Sequence, residues 1–163
     1  MSVDIIHTGR DNIVAKKNRS IAKIYFGKGK VRRDIYSKLH SIDVNGIYFQ
    51  KVRYRLLRSL YDNSQIRELR KHSQKDFRKT SMISLVYAKL NPKGLTRKQY
   101  RHLRKGIELL GKHNILHGDL PDNVMLNKNT GMPIIIDFDE ARLDSKNTSM
   151  DYNAFLSHYK VSK

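Results

Sequence analysis

The sequence has no cysteine, three prolines and nine glycines, and it sets 15 acidic residues against 33 lysines and arginines in 163 positions. Without cysteine there is no disulfide scaffold, no Cys-ligated zinc site and no thiol nucleophile. A reducing compartment is permitted. No Pro- or Gly-rich linker and no internal repeat divides the chain, and its length fits one domain, or one domain with two small lobes. No apolar run approaches the roughly 18–20 residues that a membrane span needs. The N-terminus, MSVDIIHTGRDNIV, has no apolar run of signal-peptide length and meets charge early. The expectation is a cytoplasmic chain, or one delivered into a host cell without a cleaved signal peptide. A hydrophobic fraction of 39% with 9% aromatics supports a modest core and excludes a wholly disordered chain.

The net charge of +18 is unevenly placed. Residues 1–50 carry 10 basic and 4 acidic side chains, residues 51–115 carry 18 and 4, and residues 116–163 carry 5 and 7. The acids therefore gather at the C-terminal end. A basic segment such as 51–115 attracts polyanions, an acidic protein or a nucleic acid among them; the same composition also describes a solvated basic face. Tyr48, Tyr54 and Tyr61 are interleaved with these cations and could stack on bases, although their spacing also suits core packing.

Hydrophobic periodicity orders the elements. Residues 12–26 read as two strands around a polar turn at 17–20, and residues 30–41 as a helix with Val31, Ile35, Leu39 and Ile42 at helical spacing. Residues 46–52 read as a strand, 53–80 as partly helical with Leu56, Leu57, Leu60 and Tyr61 on one face, and 82–90 as a strand. The clearest helix spans 96–113: Thr96 is its N-cap, and Tyr100, Leu103, Ile107 and Leu110 form its apolar stripe. A turn at Asn129-Thr130-Gly131, an apolar strand over 133–139 and a short helix around 150–159 complete an α+β order.

Two segments carry chemistry: His117-Gly118-Asp119-Leu120-Pro121-Asp122-Asn123 and Ile134-Ile135-Ile136-Asp137-Phe138-Asp139. An aspartate at the end of a buried strand is held by rigid backbone. That suits a hard Mg²⁺ ion, which takes one or two carboxylates, waters and phosphate oxygens. The turn between the segments would fold one against the other, so that one acid could hold the metal while the other accepts a proton.

His117-Gly118-Asp119-Leu120, Asn123-Val124-Met125-Leu126 and Asp137-Phe138-Asp139 resemble the protein-kinase-like superfamily, with its His-x-Asp catalytic loop, downstream Asn, short hairpin and Asp-Phe-Gly-type metal motif. The variant here is most similar to small atypical members: the kinase subunit of the KEOPS complex, lipopolysaccharide-core kinases, aminoglycoside phosphotransferase relatives and minimal effector kinases of bacterial pathogens. The specific motifs cover 115–142, and the order of elements extends the likeness over most of the chain. The resemblance implies a minimal bilobal fold, with 1–90 as a small N-lobe built on a sheet and 91–163 as a truncated helical C-lobe. It implies an ATP- and Mg²⁺-dependent phosphotransferase acting on a hydroxyl of protein Ser/Thr or of a sugar. Asp119 would be the catalytic base, Asn123 and Asp137 the metal ligands, and Lys23 in Ile21-Ala22-Lys23-Ile24 the contact to the ATP phosphates. Asp34, or alternatively Glu68, would pair with Lys23. Residues 85–94 would form the adenine-reading hinge, His117 would brace the loop, and Asp151 would support it from the final helix.

The departures from that pattern are specific. Kinase loops place five steps between Asp and Asn, whereas Asp119 and Asn123 are four apart, so the loop is tighter or Asp122 shares the metal role. Asp139 stands where glycine is usual, Gly118 where arginine is usual, and Thr8-Gly9-Arg10-Asp11 is the candidate glycine loop, since Gly27 and Gly29 follow Lys23. About twenty residues follow Arg142, too few for peptide-docking helices. A kinase-like binding module that holds an acidic partner or nucleic acid on its basic surface is the alternative. The remaining histidines, including His7, His40, His102 and His158, show no metal-ligand spacing, and Met82, Met125 and Met132 read as packing residues.

Overall fold

The computed structural model describes residues 3–17, 20–26, 32–73, 77–85, 87–147 and 149–162. The chain divides into two compact units, one of residues 1–31 and 51–86, the other of residues 32–50 and 87–163.

The first unit is a five-stranded antiparallel sheet with one helix. Its strands are β1 (Asp4–Thr8), β2 (Asn12–Lys17), β3 (Ser20–Phe26), β4 (Val52–Leu56) and β5 (Phe77–Leu85), in the order β1-β2-β3-β5-β4. On β3, period-2 alternation buries Ala22, Ile24 and Phe26 on one face. They pack with Val3, Ile13 and Ala15 and with Leu57, Tyr61 and Leu69. Leu69 belongs to α2 (Asn63–Lys71). That helix starts with a full capping box: the Asp62 carboxylate accepts from the Ser64 and Gln65 amides, and the Gln65 side chain accepts from the Asp62 amide. Glu68 on α2 accepts a hydrogen bond from the Val3 amide at 3.1 Å and so ties down the start of the chain.

The second unit contains α1 (Arg33–Ile42), α3 (Arg97–Lys112) and α4 (Ser149–His158). Its sheets are small: β6 (Ala88–Lys89), β8 (Val124–Leu126) and β9 (Pro133–Ile135) in the order β6-β8-β9, and β7 (Ile115–Leu116) paired with β10 (Arg142–Leu143). All pairings between these named strands are antiparallel. Thr96 caps α3 with a capping box to Gln99, and Leu103, Ile107 and Leu110 are buried. The architecture is mixed α and β, with four α-helices and a small antiparallel sheet among the described residues.

Three sequence expectations are corrected. The strand expected over 46–52 is a turn followed by a single parallel bridge from Phe49 to Ile135. The cause is Asp43, whose buried carboxylate accepts from the amides of Ile47, Tyr48 and Phe49 and bends the segment around itself. The block 53–80 opens on β4, continues through a 3₁₀ turn at Leu57–Ser59 and only then becomes helical. Leu56 is consequently exposed instead of lying on an apolar helix face. The strand expected over 82–90 is two strands, β5 beginning at Phe77 and a separate β6. In the last two cases pairing with a distant partner overrode local periodicity.

Burial pushes the Tyr61 and Tyr87 hydroxyls up to about 12 and raises that of Tyr159 as well. Below the ordinary tyrosine range both the folded and unfolded chains hold these protons. Between about pH 10 and 12 the unfolded chain releases them first, so stability falls as pH rises. The urea midpoint is therefore expected to drop across that window, and to drop less in Tyr87→Phe. Equal alkaline losses in the two proteins would remove this account.

Candidate functional site

The site is assembled on the segment between β7 and β10. At the end of β7, His117 is fully buried. Its Nδ1 accepts from the Asp119 amide at 3.3 Å, which leaves Nε2–H to donate to the Ile136 carbonyl at 2.8 Å. The imidazole thereby ties the start of the loop to the strand end that precedes Asp137. Its ring also packs on Phe138, with centroids 4.6 Å apart.

Gly118 follows with φ of +83°, a left-handed conformation that glycine adopts without steric cost. Arginine, usual at this place in the resembled loops, would be strained here. The turn is clamped from α4: the Asp151 carboxylate accepts from the His117 amide at 2.6 Å and from the Gly118 amide at 3.1 Å. Asp151 is only 4% exposed, and these two charge-assisted bonds offset the cost of burying it.

Beyond the turn, the Asn123 amide group donates to the Asp119 carboxylate at 2.8 Å and to the Asp119 carbonyl at 2.9 Å. The loop that is one residue short is thus closed directly by its own Asn on its own Asp. The Asn123 backbone amide bonds the Leu120 carbonyl, and the Tyr159 hydroxyl donates to the Pro121 carbonyl at 2.6 Å. Asn123 is also joined to the second segment, because its carbonyl accepts from the Ile136 amide at 2.9 Å. Asp122 is exposed.

Asp137 has φ of +58°, rare for a residue other than glycine but several-fold enriched for aspartate and asparagine. Such a conformation persists where the surroundings over-determine it. Here the Asp137 amide donates to Gln50 Oε1 at 3.1 Å, and the Phe138 amide donates to the Tyr36 hydroxyl at 3.2 Å. Phe138 is fully buried, edge-on to Tyr36 and Phe49. Gln50 and Tyr36 escaped the sequence reading. They lie 87 and 102 residues from their partners, and no local pattern marks them.

The other candidates fall as follows. Lys23 lies on β3, opposite Val14 on β2 and Met82 on β5, with its ammonium 5.9 Å from the Tyr25 ring centroid. Thr8-Gly9-Arg10-Asp11 is the β1–β2 hairpin turn, closed by the Gly9 amide on the Asn12 carbonyl. Asp34, in the first turn of α1, is gripped by the Arg32 guanidinium through two bonds of 3.2 and 2.9 Å. The bond to Arg32 is the main reason its carboxyl sits below the usual range. Arg32 also donates to the Ala141 carbonyl. Its own pKa is raised, first by Asp34, with Asp139 and Glu140 adding to the effect. In the expected hinge, residue 86 lies outside the described residues, as do Val31, Gly27 and Gly29.

Among the described residues no group of three His, Asp or Glu side chains could hold a metal by itself. Asn123 and Asp137 nonetheless fit a hard divalent cation as a donor set. With its amide nitrogen committed to Asp119, Asn123 offers its amide oxygen, Asp137 offers a carboxylate, and phosphate oxygens are the usual remaining ligands.

The fold is kinase-like. The solved structure of the Cydia pomonella granulovirus kinase PK-1 is similar to it, with a TM-score of 0.55 over 86% of this chain and 15% sequence identity. The chain spans about half of that structure, 51% of its length. The sequence matches no protein-family model and no curated protein. Among the described residues no helix is long and apolar enough to cross a membrane.

Proposed function

We propose that this chain is a minimal ATP- and Mg²⁺-dependent phosphotransferase with a hydroxyl acceptor, protein Ser/Thr or sugar. The observation that carries this reading is the pairing of Asp119 with Asn123 on a loop clamped by Asp151, in a kinase-like fold. Asp119 takes the proton of the acceptor hydroxyl as its oxygen bonds to the γ-phosphorus of ATP. The bond from that phosphorus to the β–γ bridging oxygen breaks, and ADP leaves with the electron pair. Asn123 and Asp137 would hold Mg²⁺, which would neutralise charge on the phosphate oxygens. Lys23 contacts the ATP phosphates. Asp34, or alternatively Glu68, pairs with Lys23 in this reading. Residues 1–90 and 91–163 act as the two lobes in this reading, and the protein works in the cytoplasm, its own or a host's.

The test is thermal unfolding with ATP and Mg²⁺, wild type beside Asp137→Ala. At about 100 times its dissociation constant a ligand adds about 2.7 kcal/mol of stability. The expected result is a Mg²⁺-dependent rise in Tm that the variant loses. An undiminished rise in Asp137→Ala removes the metal assignment. No rise in either protein favours a kinase-like binding module without transfer.

A further inference from the structure

The second unit carries a concave site apart from the catalytic candidates. Four cations on α3, Arg97, Lys98, Arg101 and Lys105, line it together with the rings of Tyr48 and His102. Met132 also lines it, and this open cleft has a volume of about 490 Å³.

The charge in this pocket runs against what the helix would choose. The first turn of α3 holds no acid, yet Arg97 and Lys98 stand there, at the positive end of the helix dipole. The single acid of the helix, Glu108, lies about three turns further on and is bound by Arg104 at 2.7 Å. Among the described residues none of the four lining cations has an acidic partner. Local preference violated without internal compensation points to a ligand that supplies the missing negative charge. Arg97, Arg101 and Lys105 follow one another at i, i+4 spacing, about 6 Å apart along the axis, and form a row on one helix face.

The floor is aromatic. The Tyr48 and His102 rings lie 4.7 Å apart at 32°, and the His102 ring is fixed at 3.0 Å to the Ile47 carbonyl. Burial holds the His102 imidazole below its ordinary range, which favours its neutral form. A ligand that matches both parts has a closely repeated anionic charge and a flat apolar group beside it. An acidic peptide satisfies the cations but leaves the rings unused. A nucleic-acid strand satisfies both, with phosphates for the arginines and bases for the aromatic floor. Packing on the rings needs an unstacked base, which a single strand offers and a duplex keeps within its stack.

We propose that this pocket binds single-stranded nucleic acid, with its phosphates on Arg97, Arg101 and Lys105 and a base packed against the Tyr48–His102 pair. The site is independent of phosphoryl transfer and stands whether or not the chain is a kinase.

The first unit is also strongly basic, so the test is a difference measurement on the whole chain. A fluorescent uridine-rich single-stranded RNA is titrated at several salt concentrations against wild type, Arg97→Gln/Arg101→Gln and the charge-matched pair Lys128→Gln/Lys146→Gln. All four positions are exposed. The pocket pair is expected to weaken binding about tenfold more than the control pair. It should also flatten the slope of log K on log salt by about 1.4, at about 0.7 per lost phosphate contact on a single strand. An abasic strand of the same length should bind more weakly than the RNA. Equal losses in the two pairs, equal binding of the abasic strand, or tighter binding of poly-glutamate than of RNA would each overturn the proposal.

Discussion

Asp119→Asn is expected to lower kcat for phosphoryl transfer by about 10²–10⁴-fold, the range that general-base catalysis supplies. That corresponds to about 2.7–5.4 kcal/mol of barrier. The substitution is close to isosteric, and the new amide oxygen can still accept the bond that Asn123 donates at 2.8 Å. Loop geometry is therefore kept while proton acceptance is lost. The Mg²⁺-dependent rise in Tm with ATP should survive, which separates this variant from Asp137→Ala. The assay is transfer of labelled phosphate from ATP to a panel of protein and sugar acceptors. Unchanged transfer by Asp119→Asn would remove Asp119 as the base and leave only the nucleotide site.

The second large effect is on stability. Asp151→Ala leaves two backbone amides, those of His117 and Gly118, without their acceptor inside the fold. Each buried unsatisfied group costs about 1–3 kcal/mol, so the pair costs about 2–6 kcal/mol. Typical domains have about 5–15 kcal/mol in total, so the alanine variant is expected to be poorly folded. Asp151→Asn keeps one acceptor oxygen and is expected to lose about half as much. Urea unfolding at constant m reads both values, and hydrogen exchange should speed up first at the His117 and Gly118 amides. A loss below about 1 kcal/mol in the alanine variant would mean that the loop is held by something other than this clamp.

The parts of the site legible in the sequence are those that short spacing controls. Asp119 and Asn123 are four residues apart and meet within one turn. The β8–β9 hairpin follows from the turn before Gly131, whose positive φ suits glycine. α3 was readable because its stripe, its Thr96 cap and its Gln99 partner all point the same way. The strand at 52–56 was harder to read. The alternation in Val-Arg-Tyr-Arg-Leu is short and runs into leucines at helical spacing, and β5 decides the matter by pairing with it. Asp43 is the plainest case of a structural residue without a local signature. Its three amide contacts turn a segment that looks like a strand into a loop around a buried carboxylate.

By itself the sequence determined the helices with strong periodicity and caps, the acidic loop and strand end, the lack of thiol chemistry and the excess of positive charge. Those depend on residue type and on neighbours a few positions away, where helix and turn geometry are nearly invariant. Tertiary structure alone decided that Gln50 and Tyr36 hold the backbone at Asp137 and Phe138. It also gathered Tyr48 and His102 beside Arg97, Lys98, Arg101 and Lys105 in one pocket. The reason is one of distance along the chain. A hydrogen bond or a ring contact has a reach of a few ångströms, and which residues fall within it across a hundred positions is set by the packing of whole elements, on which local patterns place no constraint.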